Sequence, residues 1–251
     1  MGETRVLMYH AVGTRTAAHD PHNLFVPPDT LRRQLSALLD RGWTPLTLDA
    51  YLRNDAPRRS VLLTFDDGYQ AFLDEGLPVL RELGVPATVF VLTGLLGGRS
   101  EWMPEMPDEA LVDADGVREL AAAGLDVECH GWDHSHLSGA DPGTLARNVT
   151  DAARTLAELT GRKPRAYAYP YGDHDLAARR AVAEAGFELA FSVHEGAGRF
   201  AVPRVDITSI DTDTTFRMKT WRAYPALRRL SGRAPALRST MHSLIGRAPR
   251  P

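Results

Sequence analysis

Cysteine is almost missing from this chain of 251 residues, with Cys129 its only representative. One thiol excludes an intrachain disulfide framework and gives no sign of an oxidising compartment. Long apolar runs are also missing, none approaching the roughly 20 residues that a membrane-spanning helix needs. The opening Met1-Gly2-Glu3-Thr4-Arg5 passes at once into an apolar strand, which leaves no room for a secretory leader. These absences together predict a cytoplasmic protein. Acidic residues disappear from the last stretch: from Thr214 onward there are nine Arg or Lys and no Asp or Glu. Residues 1–213 therefore hold 20 basic against 32 acidic side chains, a charge of −12 inside an overall −3. A body of that charge is not expected to bind nucleic acid, whereas the basic extension at 214–251, read as flexible, suits weak contact with an anionic surface.

What the chain does have is a repeated alternation of apolar strands and amphipathic helices. Val6 to His10, Val61 to Phe65, Ala87 to Leu92, Leu125 to Cys129, Tyr167 to Pro170, Leu189 to Ser192 and Val205 to Thr208 read as strands. Between them Leu31, Leu35, Leu38 and Leu39 mark one helical face, and Leu73, Leu77, Leu80 and Leu83 mark another. Asp141-Pro142 is a helix start, with a cap and a first-turn proline. Strand–helix units with short links predict a parallel sheet with helices outside it, and about seven such strands predict a (β/α) barrel spanning 1–213.

In such barrels chemistry gathers at the C-terminal ends of strands. His10, Asp66, Asp67, His130, Pro170 and Tyr171 all fall at such ends. Thr64-Phe65-Asp66-Asp67-Gly68 places two adjacent carboxylates where an apolar strand leaves the core, an arrangement that needs a cation, a proton or a partner to offset repulsion and burial. His130-Gly131-Trp132-Asp133-His134 supplies two imidazoles. One carboxylate and two imidazoles make a three-ligand set for a divalent ion, with the second carboxylate left as a base.

These residues resemble the polysaccharide deacetylase family (carbohydrate esterase family 4, NodB-homology domain). The resemblance rests on Thr64-Phe65-Asp66-Asp67-Gly68, on His130 and His134, and on the Pro170-Tyr171-Gly172 turn. Met8-Tyr9-His10, Val85-Pro86-Ala87-Thr88-Val89-Phe90 and Val202-Pro203-Arg204-Val205 flank them, and it covers roughly Val6 to Thr208. It implies a metal held by Asp67, His130 and His134, zinc first, with cobalt, nickel or manganese as alternatives. It also implies Asp66 as general base, the Tyr171 backbone N–H as oxyanion donor, and hydrolysis of the acetyl group of an acetylated amino sugar or glycoconjugate.

The sequence departs from the family pattern in places. Where an arginine usually precedes the proline of the third motif, this chain has Ala168, and Arg204 is the expected replacement for orienting Asp66. Gly131 stands where a hydroxyl residue is usual. No late Leu-x-His motif supplies an acid for the leaving amine, so His194 or His10 is expected there. Substrate contacts are expected from His10, Trp132, Pro170 and Tyr171, the aromatics stacking on pyranose faces. The departures keep other readings open: an O-acetyl esterase or cyclic-amide hydrolase on the same metal site, or a catalytically weak carbohydrate-binding protein.

Overall fold

A computed structural model describes residues 3–54, 56–106, 108–193, 196–221 and 224. His194 and the basic extension beyond Tyr224 lie outside the described residues. The chain divides into two compact units, Met1–Ser209 and Ile210–Pro251.

In chain order the first unit contains β1 (Glu3–Tyr9), β2 (Ala11–Val12), β3 (Phe25–Val26), α1 (Pro28–Asp40), β4 (Thr44–Pro45), α2 (Leu48–Leu52) and β5 (Arg59–Phe65). A π turn (Phe72–Gly76) then leads into α3 (Leu77–Leu83), followed by β6 (Thr88–Val91), α4 (Ala114–Ala122) and β7 (Asp126–Cys129). Next come α5 (Pro142–Leu145), a second π turn (Ala146–Asp151), α6 (Ala152–Thr160), β8 (Ala166–Ala168), α7 (Leu176–Glu184), β9 (Leu189–Val193) and β10 (Val202–Asp206). The second unit contributes α8 (Asp213–Thr220).

Seven strands run β1-β10-β9-β8-β7-β6-β5 and close through a β1–β5 pairing, every pair parallel. The expected seven-stranded (β/α) barrel is the fold. The short β4 joins the same sheet against the lower part of β5, Thr44 opposite Ser60, below the point where β6 meets Thr64 and Phe65. Closure leaves the inward side chains a space they must fill themselves. Val6, Leu62, Phe90, Ala166, Ala168, Leu189 and Phe191 do so, and Leu48 of α2 packs into the same cluster. Asp126 Oδ2 at the start of β7 accepts the Leu48 N–H at 2.8 Å, which fixes α2 at the N-terminal end of the barrel.

The outer helices form where the leucine spacing predicts. Leu31, Leu35 and Leu38 of α1 are buried, while Leu39, expected on the same face, is 36% exposed because it falls at the edge of the stripe. Asp141 caps α5 by accepting the N–H groups of Gly143 and Thr144, and Asp175 caps α7 through Ala178 N–H. The helices cover the lower and outer surfaces of the strands. The loops after the strands are thereby left to build the opposite mouth.

Candidate metal centre

Three of the five non-glycine residues with positive φ among the described residues meet at this mouth: Asp67 (φ 73°), His134 (φ 62°) and Tyr171 (φ 58°). Each left-handed residue of this kind costs about 1–3 kcal/mol and persists where its surroundings enforce it. β5 is still in the ladder at Asp66, whose N–H donates to Tyr9 O at 3.0 Å. The chain reverses one residue later, at Asp67 and Gly68. The reversal sends the two neighbouring carboxylates to different partners, although both are 3% exposed.

Asp66 faces Arg204. The guanidinium reaches across from β10 and donates Nη1–H to Oδ1 and Nη2–H to Oδ2, both at 2.7 Å, a paired geometry that fixes the plane of the carboxylate. Nη1 also donates to Thr64 Oγ1 at 3.1 Å and Nε to Ser192 O at 3.2 Å. The rings of Phe90 and Phe191 lie 5.7 Å from the guanidinium carbon. Burial pushes the Asp66 carboxyl up, but Arg204, followed by His130 and His10, outweighs burial and holds it below the ordinary carboxylate range. Asp66 is therefore ionised at neutral pH.

Asp67 faces the imidazoles. Its Oδ1 lies 3.1 Å from His130 Nε2 and 3.3 Å from His134 Nε2, and the three side chains form one buried cluster. Oδ1 makes no hydrogen bond despite full burial. The reason is visible at His130, whose other nitrogen, Nδ1, lies 2.9 Å from Ala168 O. A carbonyl only accepts, so Nδ1 carries a proton; in the neutral ring, the form that binds a metal, the Nε2 lone pair then faces the carboxylate. Lone pair against anion at this distance is unfavourable unless a cation lies between them. Two ligands about 2.0–2.1 Å from a common tetrahedral ion stand roughly 3.3–3.4 Å apart, close to the two separations from Asp67 Oδ1. The donor set therefore fits a divalent ion of the zinc type, and the Nδ1–carbonyl contact is the outer support that metal-bound histidines usually have. Burial raises the Asp67 carboxyl and the two imidazoles pull it well below the usual range, whereas burial lowers His134.

The remaining expected residues fall in different places. His10 follows β1, close enough to influence both aspartates electrostatically, and its Nδ1 is buried without a hydrogen bond. Pro170 is buried, and Tyr171 beside it is 47% exposed, its ring 4.4 Å from His134 and nearly perpendicular to it. Gly172 (φ 69°) cannot be anything larger, because a Cβ there would lie 2.6 Å from Val193 N. Trp132 is half-buried and packs against Gly94, so part of the ring expected to stack on sugar is committed to the protein. Cys129 is fully buried and its thiol is pushed up to about 12 by burial, which excludes it as a nucleophile at neutral pH.

Two further side chains take part, of which Trp102 has no clear mark in the sequence. Trp102, in the loop between β6 and α4, stacks on His134 at 4.6 Å and 20°. His136 stacks on Tyr171 at 4.1 Å and 11° while its Nδ1 meets Asp173 Oδ2 at 2.9 Å. Trp102 and Tyr171 thus flank His134 with aromatic surface, and His136 extends it on the far side of Tyr171.

A closed parallel barrel with a carboxylate pair and two imidazoles at its C-terminal mouth defines the class of protein. Comparison with known families gives the membership: the polysaccharide deacetylase model matches residues 53–190, more than half of the chain. The chain belongs to the polysaccharide deacetylase family. YxkH of Bacillus subtilis (strain 168) is 25% identical over 213 residues, covering 81% of this chain and 71% of that protein. The poly-beta-1,6-N-acetyl-D-glucosamine N-deacetylase of Staphylococcus aureus (strain MRSA252) is 25% identical over 204 residues, covering 74% of this chain and 69% of that protein. The Streptococcus pyogenes deacetylase PplD, solved in complex with acetate, matches with a TM-score of 0.76 and 25% identity over 87% of this chain and 98% of its own. Among the described residues no helix is long and apolar enough to cross a membrane.

Proposed function

We propose that this protein is a divalent-metal-dependent deacetylase that hydrolyses the N-acetyl group of an amino sugar within a glycan. The observation that carries the proposal is the division of labour between neighbours: Asp66 is clamped by Arg204, and Asp67 closes a buried cluster with His130 and His134. A divalent ion held by that cluster would supply Lewis acidity toward water and toward the acetyl carbonyl. Everything else falls to the chain. Asp66 takes the proton of the attacking water on a carboxylate oxygen, because each oxygen keeps a lone pair after its bond to Arg204. Arg204 fixes the plane of that carboxylate and keeps it ionised. The Tyr171 backbone N–H is the donor for the developing oxyanion, where one such bond is worth about 3 kcal/mol.

His10 is the group we assign to the leaving nitrogen, on the strength of its place beside both aspartates and its unpartnered Nδ1. Trp102, Tyr171 and His136 offer ring faces and edges to the apolar side of a pyranose. The relatives act, by their names, on a poly-N-acetylglucosamine or carry acetate, and both accord with a glycan N-acetyl substrate. Zinc is the assigned ion.

The test is acetate release from N-acetylglucosamine oligomers by the full chain. A chelator is expected to abolish it, zinc to restore it, and Asp66→Asn to suppress it at least 100-fold with metal binding unchanged. Acetate release insensitive to Asp66→Asn refutes the assigned base. Preferential cleavage of O-acetyl sugars assigns the site to ester hydrolysis instead.

A further inference from the structure

The segment that carries both ligand histidines has no regular structure between His130 and His134, so something must fix its shape. Its carbonyls point one way: Thr93 N–H donates to Gly131 O at 3.1 Å and Gly94 N–H to Trp132 O at 2.9 Å. Its N–H groups point the other way and converge on one atom. Asn148 Oδ1 accepts the Trp132 N–H at 2.9 Å and the Asp133 N–H at 3.3 Å. Asn148 is completely buried; its Nδ2 donates to Thr144 O at 3.3 Å, and its own carbonyl accepts the Tyr167 hydroxyl at 3.2 Å. Gly131 (φ 102°) is the counterpart of this lock, since a Cβ there would lie 3.0 Å from both Asn148 Oδ1 and Tyr167 Oη.

We infer that Asn148 is a positioning residue for the metal centre, setting the placement of His134 relative to His130 through the backbone between them. The inference rests on the reading of Asp67, His130 and His134 as metal ligands. The two histidines are supported unequally. His130 is the last residue in the ladder, its N–H donating to Val91 O at 3.0 Å, and its ring is held by Ala168 O. His134 Nδ1 is buried without a hydrogen bond, and the residue sits in the left-handed region. No outer polar group orients its ring, so its aim depends on the backbone that delivers it and on the rings packed around it. Asn148 holds that backbone. It does so from the π turn Ala146–Asp151, where the widened turn alters which side chains face the loop; such turns recur at functional positions.

The test compares the full-length wild type, Asn148→Leu and Asn148→Asp, stripped of metal and titrated with zinc against a chromophoric chelator and with cobalt by visible absorption. Leu matches the size without accepting a hydrogen bond, whereas Asp keeps the acceptor oxygen and, protonated on the other, still donates to Thr144 O. Asn148→Leu is expected to weaken zinc binding 10- to 100-fold, the range seen when support around a metal ligand is lost, and to change the cobalt spectrum. Asn148→Asp is expected to stay within about threefold of wild type with the wild-type spectrum. Zinc binding by Asn148→Leu equal to wild type overturns the inference, and so does an Asp variant as weak as the Leu variant. Should Asn148→Leu not fold, Tyr167→Phe removes the hydroxyl that anchors the Asn148 carbonyl, and unchanged zinc affinity there overturns it equally. A wild type that binds no zinc overturns the metal reading itself, a result distinguishable from all of these.

Discussion

Replacing Arg204 by methionine probes how the Asp66 carboxylate is kept charged inside the protein. The substitution keeps most of the volume between Phe90 and Phe191 and removes the two 2.7 Å bonds to Asp66. Asp66 is 3% exposed, so solvent offsets little of the loss. Breaking a buried pair by deleting one partner costs about 3–5 kcal/mol, because a charge is left without compensation. The pH dependence follows from sign. In the wild type the carboxyl is held below its unfolded value, so its stabilising contribution is present above about pH 4 and is lost as pH falls through the folded value. In Arg204→Met burial acts with less opposition and pushes the carboxyl upward, so the penalty at pH 7 relaxes on acidification as Asp66 takes a proton. The assay is urea unfolding of the metal-stripped proteins, followed by circular dichroism at pH 7 and pH 5, with Asp66→Asn and the double variant completing the cycle. The gap between wild type and Arg204→Met should narrow at pH 5 and shrink by more than half in the Asp66→Asn background. A penalty under 1 kcal/mol, or one unchanged in that background, refutes the pairing as the source of the stabilisation.

Glu128, 2% exposed on β7, accepts the N–H groups of Arg165 and Ala166 at 2.6 and 2.8 Å and is pushed up by burial to about 7. A carboxyl that holds its proton more tightly when folded loses stability as pH rises from about 4.5 through 7. Glu128→Gln, which keeps the acceptor, should therefore gain on the wild type between pH 5 and 8, by at most about 3 kcal/mol, in the same unfolding assay. Equal pH slopes for the two proteins contradict this. Gly172→Ala should displace the Tyr171 turn, since its Cβ meets Val193 N at 2.6 Å; acetate release should fall at least tenfold while zinc affinity holds, and a fall in zinc affinity as large as the fall in rate contradicts the separation of turn from ligands.

The barrel was legible because its signal repeats: apolar runs such as Val61 to Phe65 alternate with leucine stripes, and the charged or imidazole residues stand where those runs end. Asp66, Asp67 and His130 stand where strands end, and His134 follows His130 by four residues, so the grouping that the structure shows could be read from the order of the chain. Arg204 was readable only as a replacement for an arginine missing at Ala168, and its bond across the barrel to Asp66 depends on closure. Trp102 was not legible. Its stretch has no periodicity, and the loop is shaped by isolated bridges between Tyr69 and Leu111 and between Arg99 and Ala110. Asn148 was hidden by a helical pattern in which the π turn, invisible in the spacing, decides which side chains face the loop. Leu48 looks like an ordinary helix residue until α2 is seen packed into the end of the barrel. The His194 expectation and the basic extension beyond Tyr224 fall on residues that the structure does not describe, whereas the start of that extension, to Thr220, lies in α8.

The central claim is that Asp67, His130 and His134 share one divalent ion, and anomalous scattering at the zinc edge from crystals grown with zinc tests it most directly. A single strong peak is expected within bonding distance of Asp67 Oδ1, His130 Nε2 and His134 Nε2, absent in Asp67→Ala. A zinc-loaded crystal with no peak there, or with its peak on other residues, contradicts it.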